Sequence, residues 1–128
     1  MKQIIHTDKA PAPIGPYNQA VLVNGILYTS GQIAIDAASG ELRTDDIAEE
    51  TELVMQHLKS ILAEVDMTFD HVFKSTIFIA DMHQFAAINA VYGKYFNADT
   101  APARETVEVA NLPKFVNVEI SMMATKNS

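Results

Sequence analysis

Arg104 is one of only two arginines in a chain that otherwise uses seven lysines, and it heads the apolar run Pro102-Ala103-Arg104-Glu105-Thr106-Val107-Glu108-Val109. A guanidinium is a planar, permanently charged fork that matches a carboxylate with two parallel hydrogen bonds. At a strand end it is therefore either a carboxylate clamp or an ordinary surface cation, and spacing alone leaves both open. A second candidate lies in Phe115-Val116-Asn117-Val118-Glu119-Ile120-Ser121-Met122. Strand alternation there sends Val116, Val118, Ile120 and Met122 to one face and Asn117, Glu119 and Ser121 to the other, leaving Glu119 the only ionisable group on the polar row. Facing a partly closed cleft, such a carboxylate orients or deprotonates a water, and desolvation lifts its pKa into a useful range. On an open strand it is simply solvated.

Other chemistries find less support. The histidines, His6, His57, His71 and His83, show no His-Glu-x-x-His spacing and no two-histidine-one-carboxylate grouping close in sequence, so structural or surface roles are expected and no metal. Gly15, Gly25, Gly31, Gly40 and Gly93 are dispersed, with no dinucleotide fingerprint or phosphate loop, so no nucleotide cofactor is indicated. Ser30 in Tyr28-Thr29-Ser30-Gly31-Gln32 lacks a nucleophile elbow and a local base. Zero cysteines exclude a disulfide framework, a thiolate nucleophile and cysteine-ligated metals. A net charge of −7 opposes a polyanionic partner, because affinity for nucleic acid comes from cations that neutralise phosphates. The acidic residues at Asp45-Asp46 and Glu49-Glu50-Thr51-Glu52 read as a solvated first helical turn at the positive end of the helix dipole.

A chain of 128 residues, 48% hydrophobic and 20% charged, fits a single globular domain over 1–128. No apolar run approaches the ~18 residues of a bilayer span and no leader is evident, so a cytoplasmic protein that binds no membrane is expected. Residues 2–6 form a short strand candidate, followed by a stiff Pro-rich loop over 10–16. Residues 19–23 and 26–35 are β-rich and flank Asn24-Gly25, the pair most favoured in a type I′ hairpin turn. Ile47, Val54, Leu58, Ile61, Leu62 and Val65 recur at helical spacing over 45–65. A strand over 72–80, a second helix marked by Phe85, Ile88, Tyr92 and Phe96, and strands over 105–109 and 115–123 complete the chain. The crossovers imply an α+β fold, a mixed sheet with two helices packed on one face. Residues 72–79 carry large apolar groups on both parities, so the uncovered face calls for self-association, with a ligand cleft between subunits.

Gly15-Pro16-Tyr17-Asn18-Gln19-Ala20, Thr29-Ser30-Gly31-Gln32-Ile33, residues 85–92, Pro102-Ala103-Arg104 and Leu112-Pro113-Lys114 through Ile120 together resemble the RidA/YjgF reactive-intermediate deaminase family, nearly end to end. The resemblance implies a chorismate-mutase-like, YjgF-like fold assembled as a homotrimer with clefts between subunits. It implies hydrolysis of 2-iminobutanoate and 2-iminopropanoate, or their enamines, to 2-oxo acids and ammonia, a protection for pyridoxal-phosphate enzymes that needs no cofactor. Arg104 would clamp the substrate carboxylate, and Glu119 with the backbone carbonyl of Thr106 would hold the water. Tyr17, Ser30, Gly31 and Asn89 match substrate-binding positions. Asn89 could equally be a helix residue bonded to local backbone. Two departures stand out: Glu105-Thr106 replaces the family's common Ser-Cys, placing a negative charge beside Arg104, and residues 97–101 form a short rim segment. The competing reading is a binding module that holds a 2-oxo acid or similar carboxylate without turnover, with ribonuclease and chaperone activities further behind.

Overall fold

In the computed structural model, which describes residues 1–126, β1 (Gln3–Ile5) pairs with β2 (Ala20–Val23), which turns back onto β3 (Ile26–Thr29). Asn24 and Gly25 both take positive φ, 51° and 79°, as the type I′ turn demands. Helix α1 (Ile47–Ala63) begins where the Asp46 side chain accepts the Glu49 N–H at 3.0 Å. Its apolar stripe, Val54, Met55, Leu58, Ile61 and Leu62, is completely buried. Strand β4 (Val72–Ile79), helix α2 (Phe85–Gly93), strand β5 (Ala103–Glu108) and strand β6 (Val118–Thr125) follow.

The strands form one sheet in the order β1-β2-β3-β6-β4-β5. β4 and β5 pair in parallel, joined through α2, while β6 inserts antiparallel between β3 and β4. Both helices lie on one face, where Ile5, Leu27, Ile77, Ile120 and Met122 meet Leu58, Ile61, Ile88 and Tyr92 in a continuous core. The mixed sheet with two helices on one side is the architecture the pattern implied.

Among the described residues the other face carries no helix. Register places Ile4, Val21, Tyr28, Met123 and Lys74 in one row across it, then Ser121, Thr76 and Glu105, then Glu119, Phe78 and Val107. Ile4, Tyr28 and Val107 are exposed there.

Three expectations need correction. Strand β3 stops at Thr29 instead of running to Ile35. Tyr28 pairs with Met123 and Gln32 bridges Ile120, so four steps on one strand meet three on the other, and the extra residue bulges the chain out at 29–31. The Thr29 hydroxyl accepts the Met122 N–H at 2.9 Å, replacing the ladder bond lost there. Residues 113–115 form a 3-10 turn with Lys114 and Phe115 at φ 54° and 57°, so β6 starts at Val118, not Phe115. Glu50, expected in water, is fully buried.

Candidate active site

Glu119 projects from the helix-free face of β6 beneath the bulged segment. A Cβ built on Gly31 would lie 2.5 Å from Glu119 Oε2 and 2.6 Å from its Cδ, so only a residue without a side chain allows the carboxylate to cross here. Burial pushes the Glu119 pKa above its ordinary value. Among the described residues its carboxylate has no hydrogen-bond or ion-pair partner. It lines a cavity of about 470 Å³ with Tyr17, Ser30, Gly31, Lys114 and an apolar wall that includes Ile14, Ile33, Ile35 and Pro113.

Gln19 builds the far wall. Buried at 2% exposure, its amide nitrogen donates to the carbonyls of Thr7, Ala10 and Pro11 at 3.0, 3.2 and 2.9 Å, and its Oε1 accepts the Thr7 N–H at 2.8 Å. Four bonds from one side chain therefore fix the Pro-rich loop that delivers Tyr17 to the cavity. The Ser30 hydroxyl donates to the Asn18 carbonyl at 2.5 Å, which ties the bulge to the same loop. In the sequence Gln19 reads as the start of a strand and as part of the motif over 15–20, with no role of its own; a glutamine three residues after a Pro-rich loop is the available signal.

Arg104 stands elsewhere. On β5 it is in register with Ser75 of β4, itself opposite Met122 of β6, so Arg104 belongs to the helix-covered face. Its Nη1 donates to Asn89 Oδ1 at 2.6 Å, and its guanidinium carbon lies 5.6 Å and 5.1 Å from the ring centres of Phe85 and Tyr92. The Tyr92 hydroxyl donates to Ser75 Oγ at 2.9 Å, locking the ring that supports the cation; burial raises the phenol's pKa and keeps it protonated. Among the described residues Arg104 has no ion-pair partner, leaving its outer nitrogens available for an anion.

Glu105 does not compete for it. Alternation turns Glu105 to the opposite face, where Lys74 pairs with it and holds its carboxyl below the usual range. Thr106 returns to the Arg104 side. The Val109 N–H donates to the Ile79 carbonyl at 2.9 Å, so by alternation Val107 turns its backbone groups toward β4 while Thr106 directs its carbonyl away, along the free sheet edge. The Thr106 hydroxyl is buried without a partner among the described residues.

One chain thus gathers Tyr17, Ser30, Gly31 and Glu119 in one cavity, and Arg104, Asn89 and Thr106 at the α2–β5 seam, on the opposite side of the sheet. His57 is buried, with Nε2–H donating to the Ile35 carbonyl at 2.7 Å, and burial lowers its pKa. His71 completes a capping box with Thr68, while His6 and His83 are exposed beside Asp8 and Asp81. Among the described residues no cluster of three His, Cys, Asp or Glu side chains could hold a metal, and no helix is long and apolar enough to cross a membrane.

Residues 7–126 match the family model described as Endoribonuclease L-PSP. A RutC family protein of Synechocystis is 48% identical over 95% of each chain. The structure of the Rid family protein YyfA from Yersinia pestis superposes with a TM-score of 0.94 at 42% identity, covering 98% of this chain and 99% of that one. E. coli TdcF, in a structure with bound serine, superposes with a TM-score of 0.91 at 37% identity, again covering 98% and 99%.

Proposed function

Because the chain belongs to the Endoribonuclease L-PSP family, which takes in the RutC, YjgF and Rid proteins, we propose that it hydrolyses 2-imino and enamine acids to 2-oxo acids and ammonia. 2-Iminopropanoate and 2-iminobutanoate are the proposed substrates, and protection of pyridoxal-phosphate enzymes the proposed benefit. The observation that carries the reading is the pairing of available charges: among the described residues, an arginine propped by Asn89 with no carboxylate of its own, and a desolvated, unpartnered glutamate in a cavity.

The two lie on opposite faces of one sheet, so the proposed site joins two copies of the chain. One copy offers Arg104 and the outward Thr106 carbonyl, and the next offers Glu119 with Tyr17, Ser30 and Gly31. A closed homotrimer packing the helix-free faces together would build such a site at each interface and cover the exposed Ile4, Tyr28 and Val107.

In the proposed reaction, Arg104 clamps the substrate carboxylate and the Thr106 carbonyl accepts a hydrogen bond from the water or the imine N–H. Glu119 takes one proton from the water as its oxygen bonds to C2 and the C=N electron pair moves to nitrogen. The same carboxyl returns that proton to nitrogen. Transfer of the second proton from the new hydroxyl allows the C–N bond to break, releasing ammonia and the 2-oxo acid. Imine carbons are already electrophilic, so positioning and proton transfer supply the catalysis.

Binding without turnover is the second reading, favoured by the TdcF structure with bound serine. Ribonuclease action, suggested by the family's description, is opposed by the net charge of −7. The test generates 2-iminobutanoate in situ with an amino-acid oxidase and follows semicarbazone trapping. The deaminase reading requires the protein to suppress trapping and Arg104→Ala and Glu119→Ala to lose that effect. Wild type with no effect on trapping would leave the binding reading in its place.

A further inference from the structure

Glu50 is a carboxylate that the proposed reaction does not use, yet it is completely buried in the first turn of α1. Its Oε2 accepts the backbone N–H of Asn117 at 2.8 Å and that of Val118 at 3.3 Å, and its Oε1 accepts Asn117 Nδ2 at 2.7 Å. Three N–H donors and the positive end of the helix dipole replace the water that burial removes. Asn117 is gripped from a second side as well, its carbonyl accepting the Ala80 N–H at 3.0 Å.

What these bonds fasten is the exit of a strained loop. Lys114 and Phe115 sit side by side in the left-handed region at φ 54° and 57°, and Phe115 is 81% exposed, so its own burial does not hold it there. A backbone of this kind persists only where its surroundings over-determine it. Pro113 and Lys114 wall the Glu119 cavity, and Glu119 follows Val118 directly.

We infer that Glu50 is a positioning residue for Glu119: from the far side of the sheet it holds residues 113–118 in the course that closes the cavity and aims the carboxylate across Gly31. The inference rests on the hydrolytic reading of that cavity. Arg104 is supported separately by Asn89, Phe85 and Tyr92, so loss of Glu50 disturbs the water-holding half and spares carboxylate capture.

Four variants test it in the full chain under the imine assay. Glu50→Ala lowers kcat on the order of 10- to 100-fold, with KM within about 3-fold. Glu50→Gln restores kcat to within about 3-fold, because its one carbonyl oxygen accepts both backbone N–H groups and the Asn117 amide turns over to meet the new Nε2–H. Asn117→Leu removes one donor, leaves α1 intact and gives a smaller fall of the same kind, which keeps the test readable even if Glu50→Ala does not fold. Ile61→Val, a cavity in the same helix, keeps the wild-type kcat per folded molecule. Glu50→Ala and Asn117→Leu with kcat equal to that of Ile61→Val, or a loss confined to KM, would overturn the inference.

A carboxyl titration of Glu119 by carbon NMR separates this from failure of the deaminase reading, because it needs no turnover. Tyr17 and Lys114 face Glu119 across the cavity, Lys74 and Glu105 pair further along the same sheet face, and in the proposed assembly the neighbouring copy's Arg104 faces it too. Only Lys114 rides on the loop, so the titration is run in a Lys114→Ala background. Hydration after the Asn117→Leu or Glu50→Ala change lowers the Glu119 midpoint toward the ordinary carboxylate range; an unmoved midpoint refutes the positioning role.

Discussion

Arg104 and Glu119 project from opposite faces of the same sheet: Arg104 shares a row with Ser75 and Met122 under the helices, Glu119 with Phe78 and Val107 on the helix-free side. A site that uses both must draw them from different chains. Arg104→Ala and Glu119→Ala subunits, each inactive alone, therefore complement when unfolded together and reassembled at equal concentration. Random mixing pairs a sound arginine with a sound glutamate at about one quarter of interfaces, so about one quarter of wild-type activity is expected. No recovery in confirmed mixed assemblies would mean that each chain works alone.

Gly31→Ala should act as a selective lesion of Glu119. The added methyl would meet the carboxylate at 2.5 Å, and Glu119 must swing away. Gly31 does not have the left-handed backbone that would strain an alanine, so the melting temperature should hold within a few degrees while kcat drops on the order of 10- to 100-fold. Full activity in this variant would remove Glu119 from the water-holding role.

Asn89→Ala tests the support of the arginine. Its Oδ1 is the acceptor that fixes Arg104 Nη1 at 2.6 Å. Losing one charge-assisted bond at an exposed site leaves the guanidinium to wander between the Phe85 and Tyr92 rings and raises KM by roughly 3- to 10-fold, with kcat changed less. Equal falls in kcat and kcat/KM would instead place Asn89 on the reacting atoms.

Glu119 carries a stability signature as well. Burial raises its folded-state pKa above the ordinary value of 4.5, so the folded chain binds the proton more tightly than the unfolded chain. The protonated form's contribution is fully present below that ordinary value and is lost as pH rises through the raised one. Glu119→Gln should thus exceed wild type in urea stability at neutral pH, with the gap closing below about pH 4.5. A less stable glutamine variant at neutral pH would mean that attraction to Lys114, or to the neighbouring copy's Arg104 in the proposed assembly, outweighs the burial of the carboxylate.

Much of the frame was legible in local signals. Asn24-Gly25 dictates its turn through positive φ, and the stripe from Val54 to Leu62 dictates which side of α1 is buried. Alternation along β6 separated Glu119 from Val118 and Ile120 correctly. What stayed hidden depends on partners distant in sequence. Glu50 looks like Glu49 and Glu52 until Asn117 is brought beside it, 67 residues on. The bulge at 29–31 arises from the pairing of β3 with β6, which no window of local sequence contains. Arg104 and Glu119 each had a predictable parity, but whether the two parities coincide depends on the sheet order β6-β4-β5.

Gln19 holds the residue 7–11 segment through backbone atoms alone, bonding the Thr7 N–H and the carbonyls of Thr7, Ala10 and Pro11. The path of this stretch of the cavity wall is thereby uncoupled from the side chains it displays. Ala12 and Ile14 can be exchanged one at a time while this scaffold keeps its course; Tyr17 is tied in more closely, its hydroxyl accepting the Ile14 N–H at 3.5 Å. A lineage built on this plan can explore new side-chain preferences by single substitutions, each passing through a folded ancestor.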